Sequence, residues 1–202
     1  MDHEQNMHLA LALARDAGEN GDVPVGCVIA DRDGNVIGRG RNRREEGRDA
    51  TAHAEIEAIR DACRARGSWR LDDCVLYVTL EPCPMCAGAI INARIPRVVF
   101  GAREENTGAC GSVLDLFSEN FHHRPSVYAG VCAEESRALL QRFFYIGGRK
   151  KHKKSSGRSF FYALTVPSGL KRGRFARTMM SSRSAAAPSA STAILPAMMP
   201  PA

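Results

Sequence analysis

Lysine is missing from the first 146 residues, and acidic residues are missing from the last 56. The lysine-free part carries 17 arginines against 22 acids, a formal charge of −5, whereas the remainder from Gly147 carries 11 Lys and Arg and hence +11. The overall +6 describes neither part. No apolar run approaches the roughly 18 residues that a membrane-spanning helix requires, so no membrane partner is expected. The N-terminal stretch "MDHEQNMHLALALARDAG" is acidic ahead of its apolar positions and offers neither a basic segment nor a small-residue cleavage site. A secretory signal is therefore not expected, and the expected location is the cytoplasm. Regularly spaced cysteines are scarce: the seven present are an odd number and sit mostly alone in apolar segments. That argues against a disulfide framework and leaves metal binding or core packing.

What is present suits one globular domain with an appendage. The 202 residues are 44% hydrophobic and 25% charged, enough for a substantial core plus about fifty further residues. The charge break predicts a folded domain over 1–147 and a basic, largely disordered tail over 148–202. The tail opens with the cationic block "RKKHKK" (Arg149 to Lys154) and ends in Ser, Ala and Pro-biased sequence. It reads either as a solvated extension or as an electrostatic grip on nucleic acid, whose affinity would fall steeply with salt.

Helical and strand patterns alternate along the folded part. Met7 to Ala17 has helical spacing and ends at Gly18, while "VPVGCVIA" and "NVIGRG" read as strands joined at "DRDG", whose Asp-Gly suits a tight hairpin. "TAHAEIEAIRDACRARG" predicts a helix, with Ala52, Ile56 and Ile59 on one face and Gly67 closing it. "CVLYVT" predicts a strand, "CAGAIINARI" a helix, "RVVFGA" and "SVYAGVC" strands, and "EESRALLQRFF" a closing helix. Strands joined through helices imply parallel pairing, and the first hairpin is antiparallel. A mixed α/β sheet covered by helices on both faces follows.

The chemistry concentrates in "LEPCPMCAGAI". Cys83 and Cys86 stand three apart, so both sulfurs can face one point if Cys83 opens a helix. Pro84 then occupies the first helical position, where its missing N–H loses nothing, and the positive helix end favours thiolates. Alone, a C-x-x-C pair is equally a redox couple, half of a structural zinc site, or two buried thiols. Thirty residues upstream, "TAHAEIEAI" offers His53 as a third ligand, with Glu55 two residues on. In a first helical turn both can reach a ligand lying off the open helix end. Three protein ligands leave a fourth tetrahedral position for water, which marks a catalytic zinc site. Glu55 is then free to move protons between that water and a leaving group.

This arrangement matches the established H-x-E…P-C-x-x-C signature of zinc deaminases. Together with "VPVGCVI", "GRNR", "LYVTLEPCPMCAGAIINARIPRVVFGAR", "TGACGS" and the late "FF", the chain resembles the bacterial-type tRNA-specific adenosine deaminases over roughly Met7 to Phe144. The resemblance implies a cytidine deaminase-like three-layer α/β/α sandwich with a mixed, mostly parallel five-stranded sheet. It also implies one Zn2+ per subunit, a homodimer, a tRNA anticodon stem-loop as partner, and conversion of a wobble adenosine to inosine. Carried over to this sequence, it makes His53, Cys83 and Cys86 the zinc ligands and Glu55 the catalytic residue. It makes Asn42, Val25, Glu104 and Phe144 contacts to the substrate.

Two places depart from the family pattern. Glu104 and Glu105 stand where the family usually has Asp, and "YIGG" intervenes between "FF" and Arg149, with "RKKHKK" expected to substitute for the family's basic helix end. His122 and His123 read as structural. Two rival functions remain open at this point: a deaminase of a free base or nucleoside such as guanine or cytosine, and a non-catalytic zinc module that binds RNA. The second requires a fourth protein ligand, for which Cys110 is the least implausible candidate.

Overall fold

A computed structural model describes residues 2–152, with side chains to residue 145. In chain order the elements are α1 (His3–Glu19), β1 (Gly26–Ala30), β2 (Val36–Arg41), α2 (Arg44–Gly47) and α3 (Ala54–Arg66). These are followed by β3 (Val75–Leu80), α4 (Pro84–Asn92), β4 (Arg97–Ala102), β5 (Ser126–Ala129) and α5 (Ala133–His152). One unit, Met1–Arg158, holds all of them; a second, Ser159–Ala202, lies outside the described residues. The backbone of α5 runs on past Gly147, the expected end of the folded domain, to His152. The block "RKKHKK" thus begins on α5, while its Lys153 and Lys154, and the tail expected to be disordered, lie outside the described residues.

The five strands form one sheet in the order β2-β1-β3-β4-β5. It is mixed, as expected, but two of its four pairings are antiparallel: β1 with β2 and β1 with β3. Only β3–β4 and β4–β5 are parallel. Four of the five strands, β2 to β5, nevertheless run the same way, so the sheet is mostly parallel in strand direction, as expected, with β1 the exception. Helix α3 carries the chain from β2 across β1 before β3 pairs. β3 therefore runs in the direction of β2 yet lies beside β1, which opposes both.

Alternation of side chains makes the three layers. Cys27 and Ile29 of β1, Leu76 and Val78 of β3, and Val98 and Phe100 of β4 join Ala58 of α3 and Ile90 of α4 in one core. Val28, Val75, Tyr77 and Val99 point the other way and meet Met7, Ala10 and Leu11 of α1, with Leu139 of α5 packed alongside. Each large side chain so buried contributes about 1.5–3 kcal/mol.

Helix α3 lies very close to the sheet. Its buried stripe is Ala54, Ala58 and Ala62, not the expected Ala52, Ile56 and Ile59, because Ala52 precedes the helix. The stripe is small because it faces two glycines of β2. A Cβ on Gly40 would lie 2.1 Å from the carbonyl oxygen of Ala54, and one on Gly38 would lie 2.5 Å from that of Ala58. Helix termini follow their local chemistry. Asp2 caps α1 by accepting from the N–H groups of Glu4 and Gln5, and Gly67 ends α3 in the left-handed region at φ 66°. The β1–β2 connection turns at Gly34 (φ 90°), with the Asp31 carboxylate accepting from the N–H groups of Asp33 and Asn35.

Candidate active site

Because β3 and β4 are parallel, their C-terminal ends reach the same edge of the domain. Helix α4 starts there directly after β3, and the N-terminus of α3 arrives beside it. His53 and Cys83 are the N-cap residues of these helices, both in extended backbone conformation (ψ 153° and 171°), and neither side chain makes a capping hydrogen bond. A Ser or Asp cap would be occupied by backbone N–H groups. Here the cap side chains project off the helix ends instead. Pro84 holds the first position of α4, and Cys86 lies on its first turn.

His53 Nδ1 is 3.7 Å from Cys83 Sγ and 3.5 Å from Cys86 Sγ, and the three atoms all lie within 4.8 Å of one another. Metal bonds of about 2.0–2.1 Å to nitrogen and 2.3 Å to sulfur at tetrahedral angles put those atoms about 3.5 Å apart. The donor set and its spacing therefore fit zinc. Among the described residues no fourth Cys, His, Asp or Glu joins the group. Cys110, the candidate fourth ligand, is buried elsewhere in the loop after β4; burial pushes its thiol up to about 12.

Electrostatics prepare the pair for a cation. The hydrogen bond from Cys86, working against burial and helped by His53, holds the Cys83 thiol down to about 4. Cys86 is correspondingly raised, by its bond to Cys83 and then by burial, and His53 is raised by Cys83. One sulfur is thus an anion at neutral pH, at a helix N-terminus that favours it. Glu55, only 4% exposed, is pushed up to about 7 by burial and stands outside the ligand group.

These residues open on a cavity of about 160 Å3 whose lining includes His53, Glu55 and Cys83, with Val25, Asn42 and Glu104. Asn42 follows β2 directly. Its backbone N–H donates to Val25 O (3.0 Å) and its Nδ2 to Val23 O (3.2 Å), while its buried Oδ1 has no hydrogen-bond partner among the described residues. A buried amide oxygen left open beside a cavity is a ready acceptor for a ligand.

Residues 1–102 match the family described as the cytidine and deoxycytidylate deaminase zinc-binding region. A tRNA-specific adenosine deaminase of Agrobacterium fabrum is 51% identical over 139 residues, covering 68% of this chain and 91% of that protein. The chain belongs to the tRNA-specific adenosine deaminases of the cytidine deaminase family. A solved tRNA:A34 deaminase, studied for A-to-I editing at the wobble position of transfer RNA, superposes with a TM-score of 0.65 at 50% identity. It covers 67% of this chain and 99% of that one. A tRNA(Ile)-lysidine synthase of Deinococcus radiodurans is 49% identical over 135 residues, which are 67% of this chain but only 23% of that larger protein. The guanine deaminase of Nitrosomonas europaea is more distant, at 26% identity and a TM-score of 0.57 over 69% of this chain and 83% of that one.

Within this deaminase framework the remaining residues fall into place unevenly. Val25, Asn42 and Glu104 share the cavity with His53, Glu55 and Cys83, whereas Phe144 lies on α5, 55% exposed and edge-on to Phe143. His123 is structural, hydrogen-bonded through Nε2 to Ile95 O at 2.7 Å. Three polar residues of the cavity lining were not anticipated: Arg44, Glu81 and Thr107. Glu81 had a signal, since it stands two residues before Cys83 in "LEPC". Arg44 had none, because α2 is a single turn pinned from outside, its Glu45 and Glu46 N–H groups donating to the Asp22 carboxylate. A second group of possible ligands, His8, Cys132 and Glu135, lies at the α1–α5 contact. It is half-exposed, its N···S distance is 3.9 Å, and Glu135 also pairs with Arg15.

Proposed function

We propose that this deaminase hydrolyses the wobble adenosine of a tRNA anticodon loop to inosine, releasing ammonia. The observation that carries this reading is the three-ligand group His53, Cys83 and Cys86 beside a cavity that also holds Glu55 and the open Oδ1 of Asn42. Its relatives' names support the substrate.

His53, Cys83 and Cys86 hold one zinc ion per subunit. When bound, zinc supplies an activated water as nucleophile at neutral pH. Glu55 is the proton carrier. It is not needed as a ligand, it lies in the cavity wall, and burial keeps its carboxyl near neutrality, where accepting and returning a proton are both inexpensive. It takes a proton from the water and gives it to the ring nitrogen next to the attacked carbon, then takes the proton of the hydroxyl added to that carbon and gives it to the departing amine, which leaves the carbonyl of inosine. The water's oxygen and two hydrogens are thereby distributed between inosine and ammonia. Asn42 Oδ1 accepts from the base or sugar and orients it, and Val25 supplies an apolar wall. Because the target must leave its stack before it reaches the site, single-stranded loop nucleotides are the accessible substrates.

The exposed Phe144 is the contact outside the cavity, where its ring can stack on a loop nucleotide, and the sequence block "RKKHKK" that follows supplies cations for phosphates. Homodimerisation and a cytoplasmic location complete the reading. Exposed Val113, Leu114 and Phe121 after β4 support the first. Seven free cysteines support the second, as does the lack, among the described residues, of any helix long and apolar enough to cross a membrane.

The test is inosine formation on an adenosine-containing anticodon stem-loop, run beside free guanine and free cytosine. Inosine from the stem-loop and no product from the free bases is expected. Turnover of guanine with no inosine formed would replace this reading with the free-base one.

A further inference from the structure

The strand that leads to the zinc ligands ends at Leu80, and the next residue, Glu81, is a carboxylate only 2% exposed. A buried carboxylate needs strong partners, and an arginine is the usual one. Here the partners are donors from a single loop. Oε2 accepts from the N–H of Glu104 (3.1 Å) and from Ser112 Oγ, and Oε1 accepts from the N–H groups of Cys110 (3.0 Å) and Ser112 (3.1 Å). One side chain thus holds both ends of the segment 104–112. The backbone reinforces the joint, with Ala109 N–H donating to Pro82 O at 2.8 Å.

The packing leaves no slack. Gly108 N–H donates to Glu104 O, closing the loop, and Gly108 sits against Glu81 itself. A Cβ there would lie 2.4 Å from Glu104 O and 2.7 Å from Glu81 Oε2. Glu104 and Thr107, carried by the same loop, face the cavity, and Cys83 follows Glu81 by two residues. The strand end that leads to Cys83 therefore also fixes the stretch of pocket wall that Glu104 and Thr107 supply.

We propose that Glu81 is a positioning residue that sets this loop as a substrate-recognising wall, so that it governs how well the anticodon loop is held without touching the reacting atoms. This rests on the reading of the site as an RNA adenosine deaminase. Substitution by Gln gives a directional consequence. The Gln oxygen can still accept from Cys110 and Ser112, and its NH2 can donate to Ser112 Oγ, but that NH2 then faces the N–H of Glu104, which loses its acceptor. The Glu104 end of the loop should loosen first. Gly108→Ala should reach the same state from the other side, by displacing the carboxylate or the Glu104 carbonyl.

The experiment measures three things on the full chain for wild type, Glu81→Gln and Gly108→Ala: zinc content, amide hydrogen exchange, and stem-loop binding with the single-turnover rate at saturating RNA. Expected for both variants is full zinc and faster exchange across 104–112 with the β3–β4 ladder unchanged. Stem-loop binding weakens about tenfold while the saturated rate changes less than about threefold. In Glu81→Gln the Glu104 amide should exchange faster relative to the Cys110 amide. Zinc loss in both variants would overturn the proposal by making Glu81 part of the metal-site framework. Looser loop amides with unchanged binding would overturn it too, as would a rate loss with unchanged binding. Wild type that binds the stem-loop but makes no inosine counts against the underlying activity alone, since the binding comparison still decides the role of Glu81.

Discussion

His53 Nδ1 and Cys86 Sγ lie 3.5 Å apart although 33 residues separate them in sequence. They meet because each belongs to the start of a helix, and both helices begin at the edge where β3 and β4 end. The spacing is that of two donors to one zinc ion, and it ties the fold to the candidate site: whatever shifts α3 against α4 changes that distance.

Removing one donor should therefore remove the metal. Cys86→Ser and His53→Ala are expected to lower zinc affinity by more than the 10- to 100-fold typical of losing a supporting group, and to abolish deamination. Elemental analysis of purified protein against wild type checks this. Full zinc in either variant would take that residue out of the ligand set.

The close seat of α3 on β2 predicts an effect away from the cavity. Gly40→Ala forces a methyl group to 2.1 Å from the Ala54 carbonyl, one residue past His53. The expected cost is about 3 kcal/mol of stability, with reduced zinc occupancy as α3 lifts. Urea unfolding of wild type and variant measures the first, and a loss under about 0.5 kcal/mol would mean that the helix yields without strain.

Asn42 should matter for substrate beyond its structural bond from Nδ2 to Val23 O, which Asn42→Ala also removes. Its Oδ1 has no partner among the described residues, so that acceptor serves only the bound state. A 10- to 100-fold fall in kcat/KM is expected, equivalent to about 1.4–2.8 kcal/mol. Kinetics on an anticodon stem-loop would show it, and unchanged kcat/KM would remove Asn42 from the substrate contacts.

Far from the zinc ligands, the Arg66 guanidinium bonds both carboxylate oxygens of Asp73 and holds that carboxyl at about 2, below an ordinary value of about 3.9. A carboxyl lower in the folded than in the unfolded state stabilises above its unfolded pKa and loses that contribution as pH falls through the folded one. Asp73→Asn should therefore show a steady stability deficit from pH 7 to about 4, narrowing towards zero as pH approaches 2. Paired urea titrations at several pH values measure the difference. A deficit independent of pH over that range would assign the loss to packing.

Legibility in the sequence followed the range of the interactions. The grouping of His53 with Cys83 and Cys86 was readable because His53 and Cys83 each announce themselves locally, one before an apolar-periodic helix and one before a proline. Layers were readable from the order of elements, because strands such as "CVLYVT" and "RVVFGA" joined through helices put those helices on the sheet faces. The place of β3 beside β1 was not, since it depends on how far α3 carries the chain across the sheet. The alanine stripe of α3 was misplaced for a related reason: Gly38 and Gly40, on another element, decide which face can approach. Arg44 and Thr107 come to the cavity through loops held by Asp22 and Glu81, and nothing within "RREEG" or "ENTG" points to those distant carboxylates.

The most direct test of the account separates the two halves of the site. Glu55→Gln keeps the shape of the side chain, removes its ability to carry a proton, and leaves His53, Cys83 and Cys86 untouched. Zinc content and inosine formation on an anticodon stem-loop should be measured on the same preparation. The account predicts zinc equal to wild type, one ion per chain, with the rate reduced by about 10²- to 10⁴-fold. Zinc lost from the variant, or inosine formed at the wild-type rate, would contradict it.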